Sequence, residues 1–301
     1  MTDEIKLHTS MAGYYKMVAT DEHGNSRVVA DWFPNIITDQ GLNRYTNGTI
    51  LTTCQVGAGN STPIASNVSL QSLVASTTTI QADVAGSQGI TPPFYGSRRV
   101  TYRFLAGAAS GNLSEVGVGW GAANSLFSRA LILDALGSPT TITILPNETL
   151  DVTYELRLYP AADTNFNVTI SGINYSCVSR PAGFPGSFQP LTPQFGTAGQ
   201  IRPFVYNGAL GAITSGPSGT GLPGSDTNYS PYINNSFSRS VTCSFNVGSG
   251  NAVGGITAFL ASNLVGSSIF PNFQISFNPP IMKTNTQTLT LTTAWSWGRR
   301  P

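Results

Sequence analysis

The chain has 301 residues, 40% of them hydrophobic, yet only 10% are Asp, Glu, Lys or Arg, and the formal net charge is +1. That length accommodates two domains of ordinary size, each able to bury a core, and the near-zero charge excludes nucleic-acid binding as the main task. Soluble domains average about a quarter charged residues; here Ser, Thr, Asn, Gln and Gly fill the gap, which leaves a polar surface thinly protected against self-association.

Helix formers such as Lys and Glu are scarce, while 32 Gly and 19 Pro punctuate the chain, so period-two alternation is the guiding signal. Tyr14–Thr20 and Arg27–Phe33 flank the turn-forming run Asp21-Glu22-His23-Gly24-Asn25 and predict a β-hairpin. Ser66–Ala75 carries the one helix-like pattern. Arg98–Leu105 is a predicted strand, with Val100, Tyr102 and Phe104 on one face and Arg99, Thr101 and Arg103 on the other. Glu115–Trp120, Ser128–Leu133 and Thr140–Leu145 follow as strands. Thr149–Tyr159 alternates cleanly, with Leu150, Val152, Tyr154, Leu156 and Leu158 directed to a core.

In the second half, Asn167–Val178 reads as a strand with a glycine interruption of the bulge kind. Phe237–Val247, Gly255–Leu260, Asn272–Phe277 and Thr286–Trp297 complete the set. Between them, 180–232 is rich in Gly, Pro and aromatic residues and too long for an ordinary connection. It either contains short strands or is an excursion that contacts a neighbour or a target.

The halves align at an offset of about 139 residues: Asn112 falls on Asn251, Asn124 on Asn263, Ser128 on Ser267, Trp120 on Phe259 and Val152 on Leu291. Leu156 and Leu158 fall on Trp295 and Trp297, so the core-facing alternation is shared. The expected fold is therefore all-β, two tandem antiparallel β-sandwich domains from an internal duplication. The expected domains are 1–162, and 163–301 with the 180–232 segment as a loop insertion.

Little chemistry is written in the chain. His8 lies near a terminus expected to be mobile and His23 in a hairpin turn; neither has ligand partners at metal spacing. Cys54, Cys177 and Cys243 stand apart with no CxxC pair, so buried free thiols are expected. Gly57-Ala58-Gly59-Asn60 lacks the following helix that a phosphate cradle needs. The N-terminal run is polar, no secretory leader is read from it, and no apolar stretch is long enough for a membrane helix. Asp134, Glu148, Asp151 and Glu155 are the clustered carboxylates that a glycosidase would need. Cross-strand ion pairing, with Glu155 or Glu115 opposite Arg99, Arg103 or Arg157, accounts for them more simply. Trp295 and Trp297 share one strand face and read as core.

Residues 1–165 carry nine basic and thirteen acidic side chains, a net −4, and residues 166–301 carry six and one, a net +5. Arg180, Arg202, Arg239, Lys283, Arg299 and Arg300 are too scattered for a phosphate-binding stripe.

Ala30–Arg44 (ADWFPNIITDQGLNR), Gln55–Asn60 (QVGAGN), Tyr102–Trp120 (YRFLAGAASGNLSEVGVGW) and Ser125–Ile132 (SLFSRALI) resemble segments of the tailed-bacteriophage tail-fibre and tail-tip (baseplate) structural protein family. Thr284–Arg299 (TNTQTLTLTTAWSWGR) looks like that family's closing strand. The resemblance covers the first half well and only this segment of the second. It implies a virion component, assembled in the host cytoplasm as a homotrimer or ring beside other tail proteins, with a host surface receptor as a further expected partner. Neither membrane insertion nor nucleic-acid binding is implied. It offers no catalytic, cofactor-binding or metal-binding residue, and the binding residues are unassigned. Two other readings stand beside it: a lectin-like module that recognises cell-surface polysaccharide or pili, resting on Phe184, Phe188, Phe195, Phe204, Tyr206, Tyr229 and Tyr232 being exposed together, and a head decoration or head-fibre protein.

Overall fold

The alternating run that opens the chain decides the architecture. The computed structural model describes residues 3–45, 49–183, 203–261 and 272–301. In it β1 (Glu4–Thr20) is seventeen residues long and buries every second side chain, Ile5, Leu7, Thr9, Met11, Tyr15, Met17 and Ala19 among them. At about 3.3 Å per residue it spans roughly 55 Å, long enough to serve two partners end to end along one edge. The expected mobile terminus is thus half of a central strand, and His8 sits within it.

β2 (Ser26–Pro34) returns antiparallel along Tyr14–Thr20 and completes the predicted hairpin. Its turn is closed by Asp21, whose Oδ1 accepts hydrogen bonds from the His23 and Asn25 amides at 2.9 and 2.8 Å. β3 (Ile36–Ile37) leads into α1 (Asp39–Arg44), the single helix of the described residues. Thr38 caps it by accepting from the Gly41 amide at 2.9 Å, and its hydroxyl donates to Leu126 O at 2.6 Å. Gly41 is required there: a Cβ would lie 2.4 Å from Phe127 O.

The first half continues with β4 (Thr53–Gly57), β5 (Leu73–Thr77), β6 (Ile80–Gln88), β7 (Tyr95–Phe104), β8 (Gly111–Leu113), β9 (Glu115–Gly119), β10 (Leu126–Leu131), β11 (Ile142–Ile144) and β12 (Thr149–Pro160). Ser66–Ala75 is not a helix. Its Gln71 and Ser72 amides donate to the Glu115 carboxylate, so they are withdrawn from any helical ladder, and the segment runs into β5.

The second half holds β13 (Thr164–Ile170), β14 (Ile173–Ala182), β15 (Phe204–Tyr206), β16 (Gly221–Pro223), β17 (Asp226–Tyr229), β18 (Ser238–Phe245), β19 (Ile256–Ala261), β20 (Asn272–Ile281) and β21 (Leu289–Arg299). The glycine in Asn167–Val178 marks a hairpin, not a bulge. Ser171 and Gly172 both take positive φ, 51° and 81°, the pair of left-handed residues that a tight two-residue turn requires. The 180–232 stretch is not simply a loop: the end of β14, then β15, β16 and β17, lie within it, while 184–202 falls outside the described residues. So do the aligned positions Asn263 and Ser267.

The main sheet runs β17-β18-β21-β1-β12-β7-β6, with β2 also on β1. β1 pairs antiparallel with β12 over Thr9–Thr20 and parallel with β21 over Glu4–Met11. The sheet is therefore continuous across the expected 162/163 boundary. A second sheet runs β3-β10-β9-β4-β5 and a third β13-β14-β20-β19-β15-β16. The pairings β4·β5, β6·β7, β9·β10, β4·β9 and β7·β12 recur as β15·β16, β17·β18, β19·β20, β15·β19 and β18·β21. Between these sheets the apolar side chains of both halves form one connected core. Trp295 packs edge-on to Phe273, and Trp297 stacks on Tyr232 with its Nε1 donating to Leu42 O at 2.8 Å.

Because Leu7 is buried in the core where β1 pairs with β21, Leu7→Ala should lower the unfolding free energy by about 2–5 kcal/mol in urea titrations. A free tail would give no measurable change.

Candidate functional site

The carboxylates that could have formed a hydrolytic pair are each committed elsewhere. Asp151 faces Arg103 in register across β12 and β7, and Arg103 Nε and Nη2 donate to it at 2.7 and 2.6 Å. Glu155 faces Arg99 in the same ladder and takes a second guanidinium from Arg157, at 3.0 and 2.9 Å. Burial opposes the Glu155 charge, but Arg157 and Arg99 more than offset it and hold the carboxyl below the ordinary glutamate range. Glu148, on the turn before β12, is gripped by Arg27 at 2.8 and 3.1 Å and accepts from the Leu145 amide, which lowers its pKa as well. Asp134 closes its own turn by accepting from the Leu136 and Ser138 amides. A general acid needs a raised pKa; Glu148 and Glu155 are shifted the other way.

The cross-strand pairing expected for Glu155 is found, whereas Glu115 uses a different partner. It lies on β9 beside Arg129 of β10, and the two side chains are 0% and 1% exposed. Arg129 Nη2 and Nε approach Glu115 Oε2 at 2.8 and 2.9 Å. The remaining lone pairs of Glu115 accept from the amides of Gly59, Gln71 and Ser72 at 3.1, 3.0 and 2.7 Å. The rest of the Arg129 fork donates to Asn67 Oδ1, Ser61 Oγ and Ser61 O. The Gly57–Asn60 run is therefore a wall of this pair and not a phosphate cradle. A Cβ on Gly57 or Gly59 would fall 2.7 or 2.3 Å from Glu115 Oε1.

On the outer face of the main sheet, Arg157 lies over the rings of Tyr14 and Tyr95 at 4.5 and 4.6 Å. Arg300 lies over Tyr159 at 3.8 Å, and Arg99 over Trp32 at 5.5 Å. These guanidinium–aromatic contacts, with the ion pairs beneath them, make a stiff, charge-matched surface. In the second half Gln274, fully buried, gathers the 209–215 segment by donating to Gly211 O and Ala212 O and accepting from the Gly211 amide. Lys283, 7% exposed, donates to Asn246 O and Asn251 Oδ1 at 2.7 Å each, and burial lowers its pKa.

His8 Nδ1 lies 2.9 Å from Ser296 Oγ, and partial burial lowers its pKa. His23 sits in the hairpin turn beside Glu22. The three cysteines are free and buried, and burial pushes the Cys177 and Cys243 thiols up to about 12. Among the described residues no group of three or more His, Cys, Asp or Glu could hold a metal, and no helix is long and apolar enough to cross a membrane. Of the aromatic residues in 180–232, Phe184, Phe188 and Phe195 lie outside the described residues; Phe204, Tyr206, Tyr229 and Tyr232 are each half-buried in separate contacts. The scattered basic residues are spread as the sequence suggests: Arg180 pairs with Asp163, Arg299 with Asp39, and Arg239 donates to Ser230 O, while Arg202 lies outside the described residues. Sequence reasoning missed the buried Glu115–Arg129 centre, because its loop partners lie 43 to 68 residues away along the chain.

No family model, no curated protein and no solved structure matches the chain.

Glu115→Gln and Arg129→Met, each leaving one buried charge alone, should cost about 3–5 kcal/mol in urea unfolding. The double substitution to Met at both positions should cost clearly less than the sum of the two. Stability should also fall in acid. The folded pKa values of Glu155 and Glu148 lie below the unfolded ones, so their contribution is present above roughly pH 5 and disappears as pH drops through the lowered folded values. Urea midpoints measured between about pH 7 and pH 3 should show that loss, and Glu155→Gln should flatten it.

Proposed function

We propose that the chain is a non-catalytic structural subunit of a tailed-phage virion. It would sit at the tail tip, baseplate or fibre, assemble in the host cytoplasm as a homo-oligomer and contribute to host attachment. In this reading 1–162 and 163–301 are duplicated β-sandwich units, the first docking on the particle. The recurrence of one strand-pairing order in both halves supports the duplication, with β1 supplying an edge to each.

The observation that carries the reading is where the few charges go. Arg27, Arg98, Arg99, Arg103, Arg129, Arg157, Arg180 and Arg299 are each tied to a carboxylate of the same chain. What is left for neighbours is mostly uncharged and polar, with a few charges such as Lys6, Asp226 and Arg300 and apolar tips such as Leu136, Ile90 and Val253, 91%, 89% and 88% exposed. Interfaces exclude unpaired charge at their centres, and a hydrolase working through a carboxylate pair would need one of them free to change protonation. Both point to a part meant to be covered.

Mass spectrometry of purified particles should find the protein in multiple copies, and gold-labelled antibody should mark the distal tail. Absence from washed particles would end this reading; label on the capsid would move the protein to the head.

A further inference from the structure

The main sheet ends on one side at β6 and on the other at β17, its counterpart in the recurring pairing order. Every residue from Ile80 to Ser87 is exposed, on both faces of the strand, with Ile80 at 44% and Val84 at 57%. Nearby, Leu73 and Val74 of β5 are 46% and 43% exposed. A strand held by one neighbour, with neither face covered, gains little from burial and is marginal by itself.

The other edges are protected. β17 is four residues long and is flanked by Pro223 and Pro231. β3 and β16 have two and three residues, and β5 has five, with a register shift at its start. β2 carries two register shifts, Arg27, Asp31 and Pro34. β13 buries Val168 and Ile170 and is capped at Thr169 by Asp3. β6 has no Pro and no Lys, the usual devices against edge pairing; its one register shift lies at its start, between Ile80 and Ala82, and Ala82–Gln88 pairs without interruption. Its one charge, Asp83, is neutralised by Arg98 of β7.

We propose that two copies of the chain join edge to edge through β6, antiparallel, with Val84 opposite Val84, so that the sheet of one continues into the sheet of the other. In that register Ile80 faces Gln88, Gln81 faces Ser87, Ala82 faces Gly86 and Asp83 faces Ala85, so no like charges meet. The partner is a second β6 and not the opposite edge of another copy, because β17 offers four residues to a strand of nine. The contact is isologous and closes on itself, so it assembles copies in pairs; a trimer would require a different surface. This deepens the homo-oligomer part of the proposed function and rests on it.

The test uses the full chain. Light scattering behind gel filtration should give a dimer or a higher even-numbered assembly. Val84→Lys should weaken that association at least tenfold while far-UV circular dichroism stays unchanged. Val84→Cys, mildly oxidised, should form a covalent dimer on a non-reducing gel, whereas Gln81→Cys should not, because it faces Ser87; the native thiols are buried. An assembly that survives Val84→Lys, with no Val84→Cys dimer, would overturn the β6 contact and leave the homo-oligomer standing. A wild-type monomer at every concentration would remove both.

Discussion

Backbone hydrogen bonds along β1 hold the molecule together. An extended segment has two rows of donors and acceptors that must be satisfied when buried, and β1 meets this with three partners. β12 takes one edge, while β2 and β21 share the other end to end. Its inward residues then lie beneath strands from both halves, so the core cannot be divided without exposing Ile5, Leu7 and Met11. The outer face of the same sheet is held by charge: Asp151 with Arg103 and Glu155 with Arg99 tie β12 to β7 at fixed register, and Arg157 of β12 itself adds a second guanidinium to Glu155.

The long connections are fixed by the opposite device, a polar side chain sent inward from a strand. Arg129 on β10, with Glu115, gathers the loop that carries Gly59, Ser61, Asn67 and Gln71. Gln274 on β20, the strand in the corresponding place of the recurring pairing order, gathers 209–215. One half uses an ion pair and the other a neutral amide. The ion pair has the larger desolvation cost, which the surrounding amides and carbonyls offset by leaving few lone pairs or protons unmatched. Both arrangements convert Gly- and Ser-rich chain, which has little apolar surface of its own, into ordered structure.

Alternation made the half-buried strands legible in the sequence. β7, β12, β18 and β21 present one apolar face and one polar face, and their limits fall close to the predicted ones. The same signal was silent for β4 and β6. β4 is buried on both faces and β6 on neither, so neither alternates. The helix expected at Ser66–Ala75 failed because a distant carboxylate claims its amides, a long-range effect that no local window contains. At the candidate site, the cross-strand pairs of Glu155 were readable because register follows alternation. The Glu115–Arg129 centre was not, since nothing local distinguishes a buried glutamate from an exposed one.

The parallel contact of β1 with β21 has a temporal side. His8 touches Ser296, 288 positions later in the chain. A ribosome must therefore deliver the 288 positions that separate them before this part of β1 can be enclosed. Contacts of such sequence separation form late and slowly, and an unfinished product keeps an unsealed flank that invites wrong partners. Only a chain in which β21 has paired closes that flank, so the seam between β1 and β21 couples the folding of the two halves.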